Sequence, residues 1–221
     1  MGQLEHSAIL NRAAKSALTP LGFKQKGRSR VWLADRGYWL CVVEFQPSGF
    51  SKGSYLNTSA HWLWKPNEAL SFDYKLPDSK RPFVSFHDRE QFEAAAIKLA
   101  ALAASEARRL AERLSSFHDV AQLLVENNAQ IAGMNQHPEA GWAALHAAIA
   151  TGVLGRSEIA SALLDAFLRG PCAEFGGVWG REARQALAND VFLEFIENTI
   201  DEARQRHGLP KWHGAFLAEV S

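Results

Sequence analysis

Two hydrophobic periods divide the first 65 residues into one helix and a set of strands. Residues 3–18 place apolar side chains three or four positions apart, which is the period of a helix, and Pro20 ends that pattern. Residues 23–65 alternate apolar and polar side chains in runs separated by turn residues, as antiparallel strands do. The sequence therefore predicts an N-terminal helix and a three-stranded meander, with strands at about 24–33, 38–46 and 55–65.

The rest of the chain predicts loops and helices. Residues 66–82 contain three prolines and indicate an irregular connection with room for a short strand at 70–76. Asp88 and Gln91 form a capping-box pattern, so a long amphipathic helix is expected to begin there and to reach about Leu114. Further helices are expected from Asp119, from Pro138, over 157–168 and, after a glycine-rich loop, over 181–207.

This order of elements places the protein in the α+β class. An antiparallel β-meander with an N-terminal helix would pack against long helices, and an all-helical C-terminal part would follow. We expect an α+β domain over residues 1–125 and a helical C-terminal region over residues 126–221. The first region carries 17 basic and 12 acidic residues, and the second carries 7 and 12. Such opposite charges suit either docking of the two regions on each other, which we favour, or a separate partner for each region.

Four cations recur at every second position in the stretch FKQKGRSRVW, namely Lys24, Lys26, Arg28 and Arg30. With a period of two they would share one face of a strand, either as a phosphate-binding stripe or as a solvated face. Gly27 interrupts the row of side chains, which indicates a bulge or a close backbone approach.

The turn ADRG decides which side chains lie opposite these cations. A two-residue turn at 35–36 would place the cations on the same face as the apolar residues of the second strand, and a three-residue loop at 35–37 would place them on the other face. We favour the three-residue loop because burying four cations is costly. That register pairs Arg28 with Glu44 and Lys26 with Gln46.

The link to the third strand, centred on residues 50–51, would pair Phe45 with Leu56 and Glu44 with Asn57. One face of the sheet would then be apolar, and the other would gather hydrogen-bonding groups from three strands. The candidate site on that polar face consists of Lys26, Arg28, Arg30, Glu44, Gln46, Tyr55, Asn57 and His61. Such a face is either solvated or covered by a helix, as is normal in antiparallel sheets, or a shallow site for an anionic or amide-bearing ligand.

Composition narrows the classes of function. Basic and acidic residues balance at 24 each, which argues against a dedicated nucleic-acid binder. The chain shows neither an apolar run long enough to span a bilayer nor a secretory signal, so we expect no membrane partner. The two cysteines, Cys41 and Cys172, are expected to be reduced and buried in a cytoplasmic protein.

Short motifs for nucleotide binding, metal binding or nucleophilic catalysis do not occur. Among the eight histidines, His87 and His118 flank the two ends of a predicted helix, which is about 40 Å long at 1.5 Å per residue, and so cannot share a metal ion. We therefore expect no metal site and no cofactor.

A helix ending in LGF, the stretches GFKQKGR and VVEFQPS, and Asn57 in the following strand together resemble the bacterial family called domain of unknown function 4304. The resemblance covers about residues 1–125, and the matching positions are Gly22, Phe23, Lys24, Gly27, Arg28, Phe45, Gln46, Ser48 and Asn57. It implies an α+β fold and adds Ser48 to the candidate site. It implies no activity, because the family has no established function.

These residues favour a non-catalytic binding or protein-interaction module. Its partner, for example another protein, would contact the polar face or the acidic helical half of the chain. One alternative is an enzyme acting on a polar or phosphorylated small molecule, with Glu44 or His61 as general base and Arg28 as anion holder. The other is a weak single-strand nucleic-acid binder that stacks bases on Trp32 and Tyr55, although the neutral total charge counts against it.

Overall fold

The structure is a computed structural model that describes residues 2–65, 69–131 and 138–212. Its class is α+β, as the sequence predicts, with an N-terminal helix, a five-stranded antiparallel sheet and then further helices. The helices are α1 Gly2–Leu18, α2 Arg89–Arg113, α3 Phe117–Ile131, α4 Pro138–Val153, α5 Ser157–Arg169, α6 Ala173–Ala188 and α7 Phe192–Arg206. The strands, which are neighbours in this order, are β1 Lys24–Gln25, β2 Val31–Asp35, β3 Trp39–Pro47, β4 Gly53–Trp62 and β5 Phe83–Ser85.

The chain forms two compact units. The first comprises 1–62 and 70–112, and so holds the sheet, α1 and nearly all of α2. The second comprises 63–69 and 113–221, and holds α3 to α7. The partition at residue 125 stays a prediction, because contacts within a folded chain do not establish which segments would fold alone.

The predicted first strand, 24–33, is two strands with a turn between them. The Lys26 backbone N–H donates to the carbonyl oxygen of Val31 (2.8 Å), and residues 26–30 turn the chain from β1 into β2. Gly27 has a φ of +57°, a conformation that favours glycine. The prediction of one continuous strand is therefore wrong, and the period-two argument for four cations on one face fails with it.

The predicted register between β2 and β3 is also wrong. The turn occupies residues 37–38, the first of which is a glycine with a φ of +82°. The Asp35 carboxylate accepts a hydrogen bond from the backbone N–H of that glycine (3.0 Å), which fixes the turn beyond both predicted positions. As a result Val31, rather than Arg28, lies opposite Glu44.

The predicted register between β3 and β4 is confirmed. Phe45 pairs with Leu56, and Glu44 pairs with Asn57. Because side chains alternate across a sheet, we call the side of Phe45 and Leu56 the core face and the side of Glu44 and Asn57 the polar face. Residues 56–62 are all buried, so the polar face is covered over most of β4 and open only towards its beginning.

A fifth strand, β5, lies outside the three predicted strands. It pairs with residues 53–55 at the start of β4. The short strand expected at 70–76 is only a bridge between Tyr74 and Ala60. β5 therefore adds its side chains at the open end of the polar face.

Helices α1 and α2 supply much of the core of the first unit. The Phe92 ring of α2 packs edge-on against the His6 ring of α1, with ring centroids 5.6 Å apart. The Asp88 carboxylate accepts a hydrogen bond from the Gln91 backbone N–H (2.9 Å), and α2 begins at Arg89. The predicted start of this helix is confirmed.

The start of α3 differs from the prediction by three residues. Ser116, and not Asp119, caps the helix, because the Ser116 hydroxyl accepts a hydrogen bond from the Asp119 backbone N–H (3.1 Å). The same hydroxyl donates to the Asp119 carboxylate (2.7 Å), so Asp119 belongs to the first turn. A serine followed three residues later by an acid is itself a capping-box pattern.

The glycine-rich stretch before residue 181 is helical rather than a loop. It belongs to α6, and a break at 189–191 separates α6 from α7, so the predicted single helix over 181–207 is wrong. A Cβ atom at Gly180 would lie 2.8 Å from the Phe167 ring of α5. The glycine thus permits a close approach between α5 and α6, which the sequence pattern alone does not reveal.

Candidate functional site

Asn57 joins two acceptors of β3 on the polar face. Its side-chain N–H₂ group donates to Glu44 Oε2 (3.2 Å) and to Gln46 Oε1 (3.0 Å). Asn57 is 5% exposed, whereas Glu44 and Gln46 are half-buried. The structure therefore brings three of the predicted site residues together, and a buried amide fixes the direction of the two that reach solvent.

Arg81 reaches the same group from the segment before β5. It donates a hydrogen bond from Nη2 to Gln46 Oε1, and its guanidinium carbon lies 4.5 Å from the centre of the Tyr55 ring. The Tyr55 ring also lies 4.7 Å from the ring of Phe83, its partner in β5. We call Glu44, Gln46, Tyr55, Asn57 and Arg81 the polar cluster.

Arg81 is not among the predicted site residues, because residues 66–82 have the pattern of an irregular connection. One signal could have found it: Phe83 and Val84 favour a strand, and Pro82 directly before them suits the first position of an edge strand. The Pro82 carbonyl oxygen accepts a hydrogen bond from the Leu56 backbone N–H (3.0 Å), which holds this segment against β4.

The electrostatics of the polar cluster are simple. It contains one anion, Glu44, and one cation, Arg81, and the other three members are neutral amide and phenol groups. Among the residues that the structure describes, Arg81 forms no ion pair. The cluster can therefore donate to and accept from a polar partner, and its guanidinium can still bind a carboxylate.

Ser48 belongs to the loop between β3 and β4 and not to the polar cluster. Its hydroxyl accepts hydrogen bonds from the backbone N–H groups of Phe50 (3.2 Å) and Ser51 (3.3 Å). These bonds order the loop tip. Phe50 at this tip is fully exposed, and the tip lies at the same end of the sheet as Gln46 and Tyr55.

Lys26 and Arg28 lie on the turn between β1 and β2, and both are exposed. The predicted pairs, Arg28 with Glu44 and Lys26 with Gln46, are wrong because the turn at Gly27 removes both residues from the ladder. The structure therefore does not place either side chain in the polar cluster.

Arg30 lies on the core face, since its carbonyl oxygen accepts a hydrogen bond from the Phe45 backbone N–H (3.0 Å). Its guanidinium donates to the hydroxyls of Ser7 in α1 (3.1 Å from Nε) and Ser54 in β4 (2.8 Å from Nη1). Burial lowers the pKa of this guanidinium. The prediction that Arg30 shares the polar face is wrong.

His61 lies on the polar face, as predicted, but in a separate and buried network. Its Nδ1 atom is 2.9 Å from the Ser71 hydroxyl and 3.3 Å from Asp73 Oδ2, and the Ser71 hydroxyl donates to the same carboxylate (2.9 Å). A catalytic triad needs the acid and the nucleophile on different ring nitrogens. Here both contact Nδ1, and His61 is 2% exposed, so this group ties residues 71–73 to β4.

No three side chains of His, Cys, Asp or Glu come together as metal ligands within residues 2–65, 69–131 and 138–212. Cys41 and Cys172 are both buried, and neither forms a disulfide. Burial raises the pKa of both thiols, that of Cys41 to about 12, which disfavours the reactive thiolate.

Comparison with models of protein families, with curated proteins and with solved structures finds no match for this chain. The resemblance to domain of unknown function 4304 consequently stays a prediction. No helix in the described part of the chain is both long enough and apolar enough to cross a membrane.

Proposed function

We propose that this chain is a non-catalytic protein-interaction module whose partner binds the polar cluster and the adjacent loop tip at Phe50. The observation that carries the proposal is the exposed Arg81 guanidinium, which contacts the neutral Gln46 amide and the Tyr55 ring. Arginine and aromatic side chains are enriched at the centres of protein interfaces. We also propose that the protein is cytoplasmic, because free cysteines such as Cys41 and Cys172 are typical of that compartment.

The side chains of this surface are held in place by hydrogen bonds before any partner binds, and this supports the proposal. Asn57 holds Glu44 and Gln46 in place, and Gln46 in turn holds Arg81. The entropy that side chains lose on binding is smaller when the free protein already holds them in one arrangement. A partner that offers a carboxylate to Arg81 would gain a charge-assisted hydrogen bond at little cost in ordering.

The two alternatives lack such support. An enzyme would need Arg28 beside Glu44 or His61, but Arg28 lies on an exposed turn and His61 is buried. A single-strand nucleic-acid binder would need exposed rings, and Trp32, one of the two predicted stacking residues, is 2% exposed.

Site-specific photocrosslinking in the cells that encode this chain tests the proposal. A photoreactive phenylalanine replaces Phe83, which is exposed beside Tyr55 in the polar cluster, and in a control replaces Ile97, which is exposed on α2. We expect a discrete protein adduct from position 83 and none of the same mass from position 97. The adduct is then identified by mass spectrometry.

A second comparison assigns the adduct to the polar cluster. Arg81→Gln should reduce its yield at least tenfold, because one charge-assisted contact at an interface is worth about 1.5–3 kcal/mol. The matched control is Arg109→Gln, since Arg109 is also exposed but already pairs with Asp78 (2.7 Å). Equal adducts from positions 83 and 97, or an adduct that is indifferent to Arg81→Gln, would refute the proposed function.

A further inference from the structure

Within the part of the chain that the structure describes, the side chain of Arg30 is hydrogen-bonded to two hydroxyls and one imidazole ring. Its guanidinium makes four hydrogen bonds, which reach the Ser7 hydroxyl twice, the Ser54 hydroxyl once and the His6 ring once. His6 Nε2 lies 2.7 Å from Nη2 of the guanidinium, which can only donate, so this ring nitrogen is the acceptor. A guanidinium has five N–H donors, which leaves one, on Nη1, directed to none of these three partners.

The charge of Arg30 has no counterion in the described part of the chain. No carboxylate there forms an ion pair with it, whereas Arg12, Arg89 and Arg109 are each paired with one. Arg30 is also half-buried, unlike those three exposed side chains. Burial lowers its pKa, because removal from water disfavours the charged form. An anion at this position would offset that cost.

The turn that precedes Arg30 adds positive potential. Lys26 and Arg28 lie on the same short turn and are exposed. The turn is closed by hydrogen bonds from the Ser29 backbone N–H (3.1 Å) and hydroxyl (2.6 Å) to the Lys26 carbonyl oxygen. Exposed cations next to Arg30 in the chain raise the local concentration of anions, and salt screens this attraction over about 10 Å at 0.1 M.

We propose that Arg30 is the centre of an anion-binding site that takes the phosphate or carboxylate group of a small ligand. The oxyanion accepts the remaining N–H of Nη1, and the positive potential of Lys26 and Arg28 attracts it. The planar guanidinium suits both kinds of oxyanion. The site is independent of the proposed protein partner, because Arg30 and Ser54 lie on the core face and the polar cluster lies on the opposite face.

Thermal unfolding in the presence of inorganic phosphate or acetate, at ionic strength matched with sodium chloride, tests this site. At an anion concentration about five times the dissociation constant, the melting temperature should rise by about 2–4 °C over the chloride control. Arg30→Gln should abolish the rise. Arg109→Gln, which removes an arginine that already has a carboxylate partner, should leave the rise unchanged.

The two anions separate the sources of the ligand. A response to phosphate alone supports a phosphorylated ligand, and a response to acetate as well supports carboxylates. No response beyond chloride to either anion, or an equal response from Arg30→Gln, overturns the proposal.

A direct measurement covers the case in which Arg30→Gln fails to fold. In ¹H–¹⁵N spectra, the Nε resonance of Arg30 is assigned as the resonance that is present in the parent protein and missing from Arg30→Lys. The lysine variant is used for this assignment because it keeps the positive charge. The Arg30 resonance should shift saturably with phosphate, while the Nε resonances of arginines outside residues 26–30 stay within the change that chloride produces. A resonance that does not move, or a uniform shift of all arginines, overturns the proposal.

Discussion

Asn57→Asp is the sharpest perturbation of the polar cluster. It keeps the shape of the side chain and replaces the N–H₂ group, which donates to Glu44 and Gln46, with a second carboxylate oxygen. Two acceptors then face each other where a donor faced an acceptor, and two negative charges stand side by side on neighbouring strands. The substitution should therefore destabilise the first unit at neutral pH.

The distance between the two side chains gives the size of this effect. Two unit charges 3.2 Å apart repel by about 1 kcal/mol at the dielectric of water and by about 5 kcal/mol at an effective dielectric of 20. The loss of hydrogen bonds to buried or half-buried acceptors costs about 1–3 kcal/mol more. Because Glu44 is half-buried, we expect a total of about 2–4 kcal/mol at pH 7, which is a large part of the usual stability of a domain.

Urea unfolding at pH 7 and at pH 4 measures this cost. At the lower pH one of the two carboxyl groups takes up a proton, so the repulsion ends and a donor returns. The destabilisation should then shrink to about 1 kcal/mol or less. If the two units unfold in separate transitions, only the transition of the first unit should move.

Glu44→Gln completes a double-mutant cycle. In its background Asn57→Asp should cost about 1–3 kcal/mol less than in the parent, because the partner charge is gone. A variant Asn57→Asp as stable as the parent at pH 7 would refute the contact between Asn57 and Glu44. A cost that Glu44→Gln does not reduce would show that the two side chains do not interact.

Three further predictions concern packing and charge. Gly180→Ala should be less stable than Gly177→Ala by about 1–3 kcal/mol in urea unfolding. A methyl group at position 180 would lie 2.8 Å from the buried Phe167 ring, whereas the atom nearest to one at position 177 is the end of a flexible arginine at 3.4 Å. The pKa of Cys41, raised by burial to about 12, means that the unfolded chain loses the thiol proton first. The stability of the parent protein relative to Cys41→Ala should therefore be unchanged below pH 9 and fall by up to about 1.4 kcal/mol per pH unit above pH 9. Unfolding at pH 8 and at pH 10.5 would measure this fall. Burial and two neighbouring carboxylates raise the pKa of Glu197, so its charged form destabilises the fold at pH 7. Glu197→Gln should therefore stabilise the protein by a few tenths of a kcal/mol at pH 7. A pH series of unfolding curves should show this gain disappear below the ordinary pKa of 4.5.

The register of a hairpin could be predicted where the pattern of whole strands determines it. Between β3 and β4, the predicted loop at residues 50–51 pairs Phe45 with Leu56 and Glu44 with Asn57, and in that register the alternating apolar positions of both strands share one face. Between β2 and β3 the register depends on a single turn. There the conformation of Gly37 and its hydrogen bond to Asp35 decide the outcome, and both predicted turns lie too early in the chain.

Part of the candidate site could be predicted for the same reason. Glu44, Gln46 and Asn57 follow from the strand period and one confirmed register. Arg81 could not be predicted in this way, because its segment has no hydrophobic period and reaches the cluster through β5. The period assigns His61 to the correct face but cannot reveal which segment covers that face, since Ser71 comes from a loop.

The stretch FKQKGRSRVW shows how one turn assigns different physical roles to similar cations. Lys26 and Arg28 remain in water, where a charge costs nothing and contributes little to stability. Arg30, only two residues further on, lies opposite Phe45 on the core face, where a charge is costly unless an anion accompanies it. An anion can therefore stabilise the fold appreciably at Arg30 and only slightly at the two exposed cations, which places the proposed site at the least exposed of the three.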